Sequence, residues 1–260
     1  MLIEILIFLV GLAVGSFANV CIHRLPKGES IVRPPSHCPK CSKQIGWFDN
    51  IPVLSFALLR GQCRHCHGRI SVRYPIVELV SGLIWYGSWR QYEGSPISWV
   101  QIIFFTLLLI VSITDFETGL IPDRVSLFGI AVGLGSSFFY SGSLHGVTPF
   151  TGVWKSLAGM LTGGGLIYVT GLAGDWIFQR ESMGGGDVKL MAMAGCFLGW
   201  EKAFLTFFTA PFFALPFALY QKWIKKEDII PYGPFLSLAS AVQFFYGDQL
   251  WHLFIFGRIV

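Results

Sequence analysis

The sequence predicts an all-α polytopic membrane protein of about eight transmembrane helices, with a small zinc-binding insert between the first two. Three observations carry that reading. Apolar residues make up 53% of the 260-residue chain and charged residues only 13%, and the mean hydropathy is +0.59, which is the composition of a chain solvated mainly by lipid. Apolar runs of spanning length recur along the chain. The basic residues gather in one hydrophilic stretch that also holds four cysteines in two pairs.

The eight runs are residues 2–20, 75–92, 98–114, 124–141, 153–173, 187–200, 202–222 and 233–250, of which the sixth is short. Met1-Leu-Ile-Glu4 has no basic n-region, and the run after it ends in His23-Arg24-Leu-Pro-Lys27, so the first span is expected to remain as an anchor. Nine of the 19 Lys and Arg lie between Arg24 and Arg73, against only Glu29 and Asp49. The positive-inside rule therefore makes that segment cytoplasmic. Alternating the spans puts Arg124, Arg180 and the Lys222–Lys226 cluster on the same side, and the uncharged Ser141–Thr151 loop on the other. The net charge of +4 then reflects topology. No nucleic-acid-binding motif, P-loop, dinucleotide fingerprint or serine elbow is present.

The chain divides into a first helix (1–21), a cytoplasmic insert (22–74) and a membrane domain (75–260). An insert of about 50 residues is too small for a large core and needs a staple. Cys38-Pro-Lys-Cys41 and Cys63-Arg-His-Cys66, separated by 21 residues, have the arrangement of a four-thiolate zinc site. Disulfides, a redox dithiol and metal-free thiols are the alternatives, and a cytoplasmic location disfavours the first. A complete four-cysteine shell leaves no open coordination position, so the metal would be structural. His37, His65 and His67 read as a basic surface or, less simply, as swapped ligands; Cys21 and Cys196, in or beside apolar runs, read as small packing residues.

Two carboxylates stand at bilayer depth. Asp115 follows the run Ile102–Ile113, and Asp187 lies in Met183-Gly-Gly-Gly-Asp-Val-Lys-Leu190, where another run begins. Burying such a group in lipid costs roughly 2.5–3.5 kcal/mol, which makes each a candidate for function. Each also has a plain reading, as an interfacial charge or a helix-start residue. Brought together, they would form an acid/base pair in which like-charge repulsion keeps one protonated and one ionised. Gly184–Gly186 remove side chains beside Asp187 and let another backbone approach, an extended peptide being the natural visitor. Asp123, after Ile121-Pro122, and Glu117 compete with Asp115 for the catalytic role; Asp123 alternatively caps the next helix. Glu78 pairs locally with Arg73 or contacts a ligand. Gly11, Gly15 and Gly159-x-x-x-Gly163 read as helix-packing positions, with Asn19 an interhelical hydrogen bonder, and Pro231–Pro234 as a turn.

The motifs resemble those of the bifunctional type IV prepilin peptidases, also called prepilin leader peptidase/N-methyltransferases, almost end to end. They run Gly15–Pro26, the two Cys-x-x-Cys pairs, Asp49–Ser55, Arg73–Leu79, Asp115 with Ile121-Pro-Asp123, Gly184-Gly-Gly-Asp187 and Tyr232–Phe235. Asp49 stands where Glu is frequent. The resemblance implies an aspartic endopeptidase with Asp115 and Asp187 catalytic, and Gly184, Gly186 and Asp123 supporting. It would cut the basic leader of a prepilin or type II secretion pseudopilin at the cytoplasmic face of the bacterial inner membrane, then methylate the new terminal amine using S-adenosylmethionine. The insert cannot hold a doubly wound methyltransferase domain, so the cofactor site must be unconventional; Arg73 and Glu78 are its candidates. The rival readings are a peptidase without methylation and a zinc-stapled transporter or scaffold.

Overall fold

The computed structural model describes residues 2–139, 148–179, 183–225 and 230–257. Arg180, Lys226 and residues 141–147 of the Ser141–Thr151 loop, used in the topology argument, lie outside the described residues. Helices are α1 (Leu2–Arg24), α2 (Leu54–Leu58), α3 (Arg73–Gln91), α4 (Pro96–Thr118), α5 (Asp123–Phe139), α6 (Pro149–Phe178), α7 (Gly185–Leu198), α8 (Trp200–Tyr220) and α9 (Gly233–Phe256). Among the described residues each of the eight apolar runs lies mostly in helix, the sixth running past the break at Gly199. Four are long and apolar enough to cross a membrane by length and composition: Leu2–Lys27, Pro96–Thr118, Pro149–Phe178 and Trp200–Trp223. Of the rest, α5 and α7 are short, at 17 and 14 residues, while α3 and α9 carry more polar side chains.

The chain forms two compact units, Met1–Ile102 and Ile103–Val260. In the first, α1 packs along α3 through its small residues. A Cβ on Gly15 would lie 2.6 Å from Glu78 Cα, and one on Gly11 2.7 Å from Trp85 Cβ. Close approach lets polar groups bond across the pair: Ser81 Oγ donates to Gly11 O (2.8 Å) and Asn19 Nδ2 to Tyr74 O (3.1 Å). The packing role read for Gly11, Gly15 and Asn19 is what the structure has. Trp99, in the first turn of α4, meets the ring edges of Trp85 and Trp89 at 6.0 and 5.8 Å.

In the second unit the central element is α7. Leu190, Met191 and Met193–Leu198 are buried, and α5, α6, α8 and α9 all pack on it. A helix apolar on every side belongs in a core. Its tightest neighbour is α6, where a Cβ on Gly159 would strike the Gly195 carbonyl and one on Gly163 the Met191 carbonyl. Ser156 Oγ donates to Cys196 O at 2.8 Å across the same seam. Phe104 of α4 stacks on Phe197 with centroids 4.6 Å apart, tying α4 to α7. Cys21 and Cys196 are both buried, in keeping with packing roles.

Candidate active site and metal centre

Asp115 occupies the last turn of α4, which ends when Gly119 takes a left-handed conformation (φ +66°) and its N–H donates to Asp115 O (2.8 Å). The Asp115 side chain is only 5% exposed. Its Oδ2 accepts a hydrogen bond from the Gly233 N–H at 2.8 Å, one of the otherwise orphaned donors at the start of α9. The positive end of that helix therefore faces the carboxylate. Gly233 leaves no room to spare, since a Cβ there would lie 2.8 Å from Asp115 Oδ2.

Asp187 is the third residue of α7, and its carboxylate turns back toward the Gly184 backbone at the N-cap. Its charge and that of Asp115 act on one another, and Tyr232 lies within the field of Asp187. The structure thus gathers Asp115, Asp187, Tyr232 and Gly233 at one place in the second unit. Of the three glycines, Gly186 serves packing: a Cβ there would lie 2.8 Å from Ile121 Cβ. Among the described residues nothing lies within 4 Å of a Cβ placed on Gly185.

Asp123 stands apart in character. It is the first residue of α5, exposed, with Oδ1 2.7 Å from Lys189 Nζ. That pair ties α5 to α7 two residues beyond Asp187. Sequence reasoning missed both Lys189 and Gly233. A basic residue two places after a key acid was a readable signal for the first; for the second the signals were a glycine followed by Pro234 at a helix start and its place in the Tyr232–Phe235 motif.

In the first unit, the two cysteine pairs sit in matching turns. Cys38 N–H donates to Lys43 O and Ser42 N–H to Cys38 O, and Cys63 N–H to Gly68 O and His67 N–H to Cys63 O, all at 2.8–2.9 Å. Ser42 and His67 take the same left-handed backbone, at φ 57° and 54°. The four sulfurs of Cys38, Cys41, Cys63 and Cys66 lie within 4.8 Å of one another, close enough to hold a metal ion. The Cys38 and Cys66 sulfurs are 3.8 Å apart, and a tetrahedral ion with bonds of about 2.3 Å demands nearly that separation. All four thiols are free of disulfides. Hydrogen bonds from the Cys66 and His65 backbone pull the Cys63 thiol down to about 7, while, against a hydrogen bond from the Gly68 backbone, burial and the neighbouring sulfurs push Cys66 up to about 11, so the metal-free thiols share protons rather than ionising together. Asp49, where Glu was the commoner expectation, receives Arg64 Nε and Nη2 at 2.6–3.0 Å, so that it braces the second knuckle.

Glu78 is buried and accepts from Val53 N–H at 2.7 Å and from the Ser16 hydroxyl, while the Arg73 guanidinium lies over the Tyr74 ring, 4.7 Å from its centroid.

Residues 9–92 match the family model described as the bacterial peptidase A24 N-terminal domain, and residues 102–219 match that of the type IV leader peptidase family. The chain is similar to proteins named prepilin leader peptidase/N-methyltransferase. That of Myxococcus xanthus is 37% identical over 77% of this chain, which there spans 57% of the relative's length. That of Pseudomonas putida is 30% identical over 93% of this chain and 90% of the relative; that of Stutzerimonas stutzeri, 32% over 92% and 89%. No solved structure matches. With both of its units matched and several relatives aligned over most of both chains, this integral membrane protein belongs to the type IV leader peptidase family.

Proposed function

We propose that the protein is a membrane aspartic endopeptidase that removes the leader of type IV prepilins or type II secretion pseudopilins and then N-methylates the new amino terminus. The observation that carries the peptidase reading is the meeting of Asp115 and Asp187 beside the Gly233 N–H. Two carboxylates that repel one another share a single proton. The ionised one takes a proton from water as the water oxygen attacks the scissile carbonyl carbon. The protonated one donates to the carbonyl oxygen, giving a tetrahedral diol. Collapse breaks the C–N bond as the first proton passes to the leaving nitrogen and a diol hydroxyl returns its proton to the second carboxylate, yielding a leader carboxyl group and a free amine. Gly233 holds Asp115 Oδ2, leaving Oδ1 for water. Gly184 and Gly186 shape the loop, and Asp123 braces it through Lys189. Supporting the methylation half is the similarity to relatives named prepilin leader peptidase/N-methyltransferase; S-adenosylmethionine supplies an electrophilic methyl group when bound.

Cys38, Cys41, Cys63 and Cys66 would hold one zinc ion, which supplies folding free energy to an insert with little core of its own. Eight spans are read from the apolar runs, and the charge pattern supports placing the insert and both carboxylates on the cytoplasmic side of the inner membrane. Mass spectrometry of a prepilin incubated with the purified protein tests the whole reading. Leader loss plus about 14 Da for a methyl group is expected, either Asp115→Asn or Asp187→Asn abolishes the cleavage, and the double variant is no worse than either. Full cleavage by Asp187→Asn would remove the aspartic mechanism, and full cleavage by Asp115→Asn would move the assignment to Asp123.

A further inference from the structure

Between α1 and the amino-terminal half of the insert lies a cavity of about 340 Å³, walled by Ser16, Val20 and Arg24 on the helix and by Pro35, Asn50 and Pro52 on the insert. That volume falls in the range of about 300–1,000 Å³ usual for small-molecule sites. Three wall residues of α1 recur every fourth position, so one face of the helix forms the floor.

Arg24 is the unusual member. It is 7% exposed, and its Nη1 and Nη2 donate to the backbone carbonyls of Ser30 and Pro35 at 3.0 and 3.4 Å. Both acceptors are neutral. A guanidinium removed from water without a counter-charge is costly, and its five-donor fork retains capacity for a bidentate anion. The opposite wall is held in an uncommon conformation. Val53, next to Pro52, has φ 60° and ψ −48°, and its N–H is gripped by Glu78 Oε2 at 2.7 Å. Glu78 also receives the hydroxyl of Ser16, a cavity residue. A non-glycine residue kept at positive φ by a buried carboxylate is the sort of stored strain that marks binding sites.

We infer that this cavity seats the methyl donor, with Arg24 pairing the α-carboxylate of S-adenosylmethionine and Glu78 acting as a positioning residue that fixes the Pro52–Val53 wall. The inference rests on the methyltransferase half of the proposed function and places its cofactor. It keeps Glu78 from the sequence candidates and puts Arg24 where Arg73 was expected.

The experiment is equilibrium binding of S-adenosylmethionine and of decarboxylated S-adenosylmethionine to the purified full-length protein in detergent. The parent protein should prefer the carboxylate-bearing ligand. Arg24→Met should weaken S-adenosylmethionine about 10- to 100-fold, the range of a lost charge-assisted hydrogen bond, and leave the decarboxylated ligand unchanged. Val20→Trp, which fills the cavity, should abolish binding of both. Metal content and thermal unfolding report whether each variant keeps its insert. If Arg24→Met does not, the parent's discrimination between ligands and the Val20→Trp result decide the matter. Equal affinity of the parent for both ligands, or parental binding by Val20→Trp, overturns the assignment. Absence of any S-adenosylmethionine binding by the parent removes the methyltransferase reading itself, a different outcome from a misplaced site.

Discussion

Replacing Gly233 by Ala adds one methyl group at a place where the structure gives its effect a size. The backbone there is not left-handed, so alanine is tolerated conformationally, and the N–H that Asp115 accepts is kept. The new Cβ would start 2.8 Å from Oδ2, 3.1 Å from Cγ and 3.2 Å from Cβ of Asp115. Ordinary contact begins at 3.4 Å, so the carboxylate must retreat by about half an ångström. A misplacement of about 1 Å costs on the order of 100-fold in a well-aligned site. Half of that displacement predicts a kcat for leader removal about tenfold lower, with KM little changed because the substrate's remote contacts are untouched. The assay is steady-state cleavage of a prepilin in detergent, beside the melting temperature of the same preparation. Gly233→Ala cleaving at the parental kcat would refute the claim that the start of α9 sets the position of Asp115.

Asp123→Asn breaks an exposed ion pair with Lys189, a contact of modest worth; cleavage should fall only a few-fold, and Lys189→Met should match it in the same kinetic assay. Metal analysis should find about one zinc per chain; Cys38→Ser or Cys66→Ser should lower it and bring early unfolding of the insert, seen as new protease sensitivity between residues 22 and 74. Arg64 hydrogen-bonded to Asp49 holds its carboxyl below the usual carboxylate range. A depressed acid stabilises the fold fully above its unfolded value near 3.9 and loses that support only as pH falls toward its folded value. The melting difference between the parent and Asp49→Asn should therefore stay constant from pH 8 to pH 5, and a difference that shrinks within that window would contradict the pairing. In Gly159→Leu the side chain has no space against the Gly195 carbonyl, so the membrane unit should lose several degrees or fail to fold, as read by thermal unfolding.

The helices were legible in the apolar runs, four of them long and apolar enough to span and so bound to be helical in lipid, yet their ends were not. Helix α6 begins at Pro149, earlier than residue 153, because Thr148 and Thr151 cap it reciprocally, a signal hidden in polar sequence. The catalytic candidates were legible as residue types out of place in lipid, and the cysteine pairs by spacing. What escaped was any partner that acts through its main chain. Gly233 reaches Asp115 across 118 positions with a bare N–H, and no side chain announces it. Arg24 was read as a topological charge and as part of the Gly15–Pro26 motif, and neither reading reveals it as buried, because a small, metal-stapled insert has no periodicity to show what it covers.

The shortness of α7 bears on how hydrolysis proceeds beside lipid. Fourteen residues reach about 21 Å, against roughly 30 Å of hydrocarbon. A helix of that length, jacketed by four others, need not touch lipid at either end. At its amino end Asp187 follows Gly185 and Gly186, the latter packed against Ile121. Under the proposed peptidase reading, the water that splits the peptide bond then meets Asp187 at the amino end of α7 without crossing a full hydrocarbon thickness.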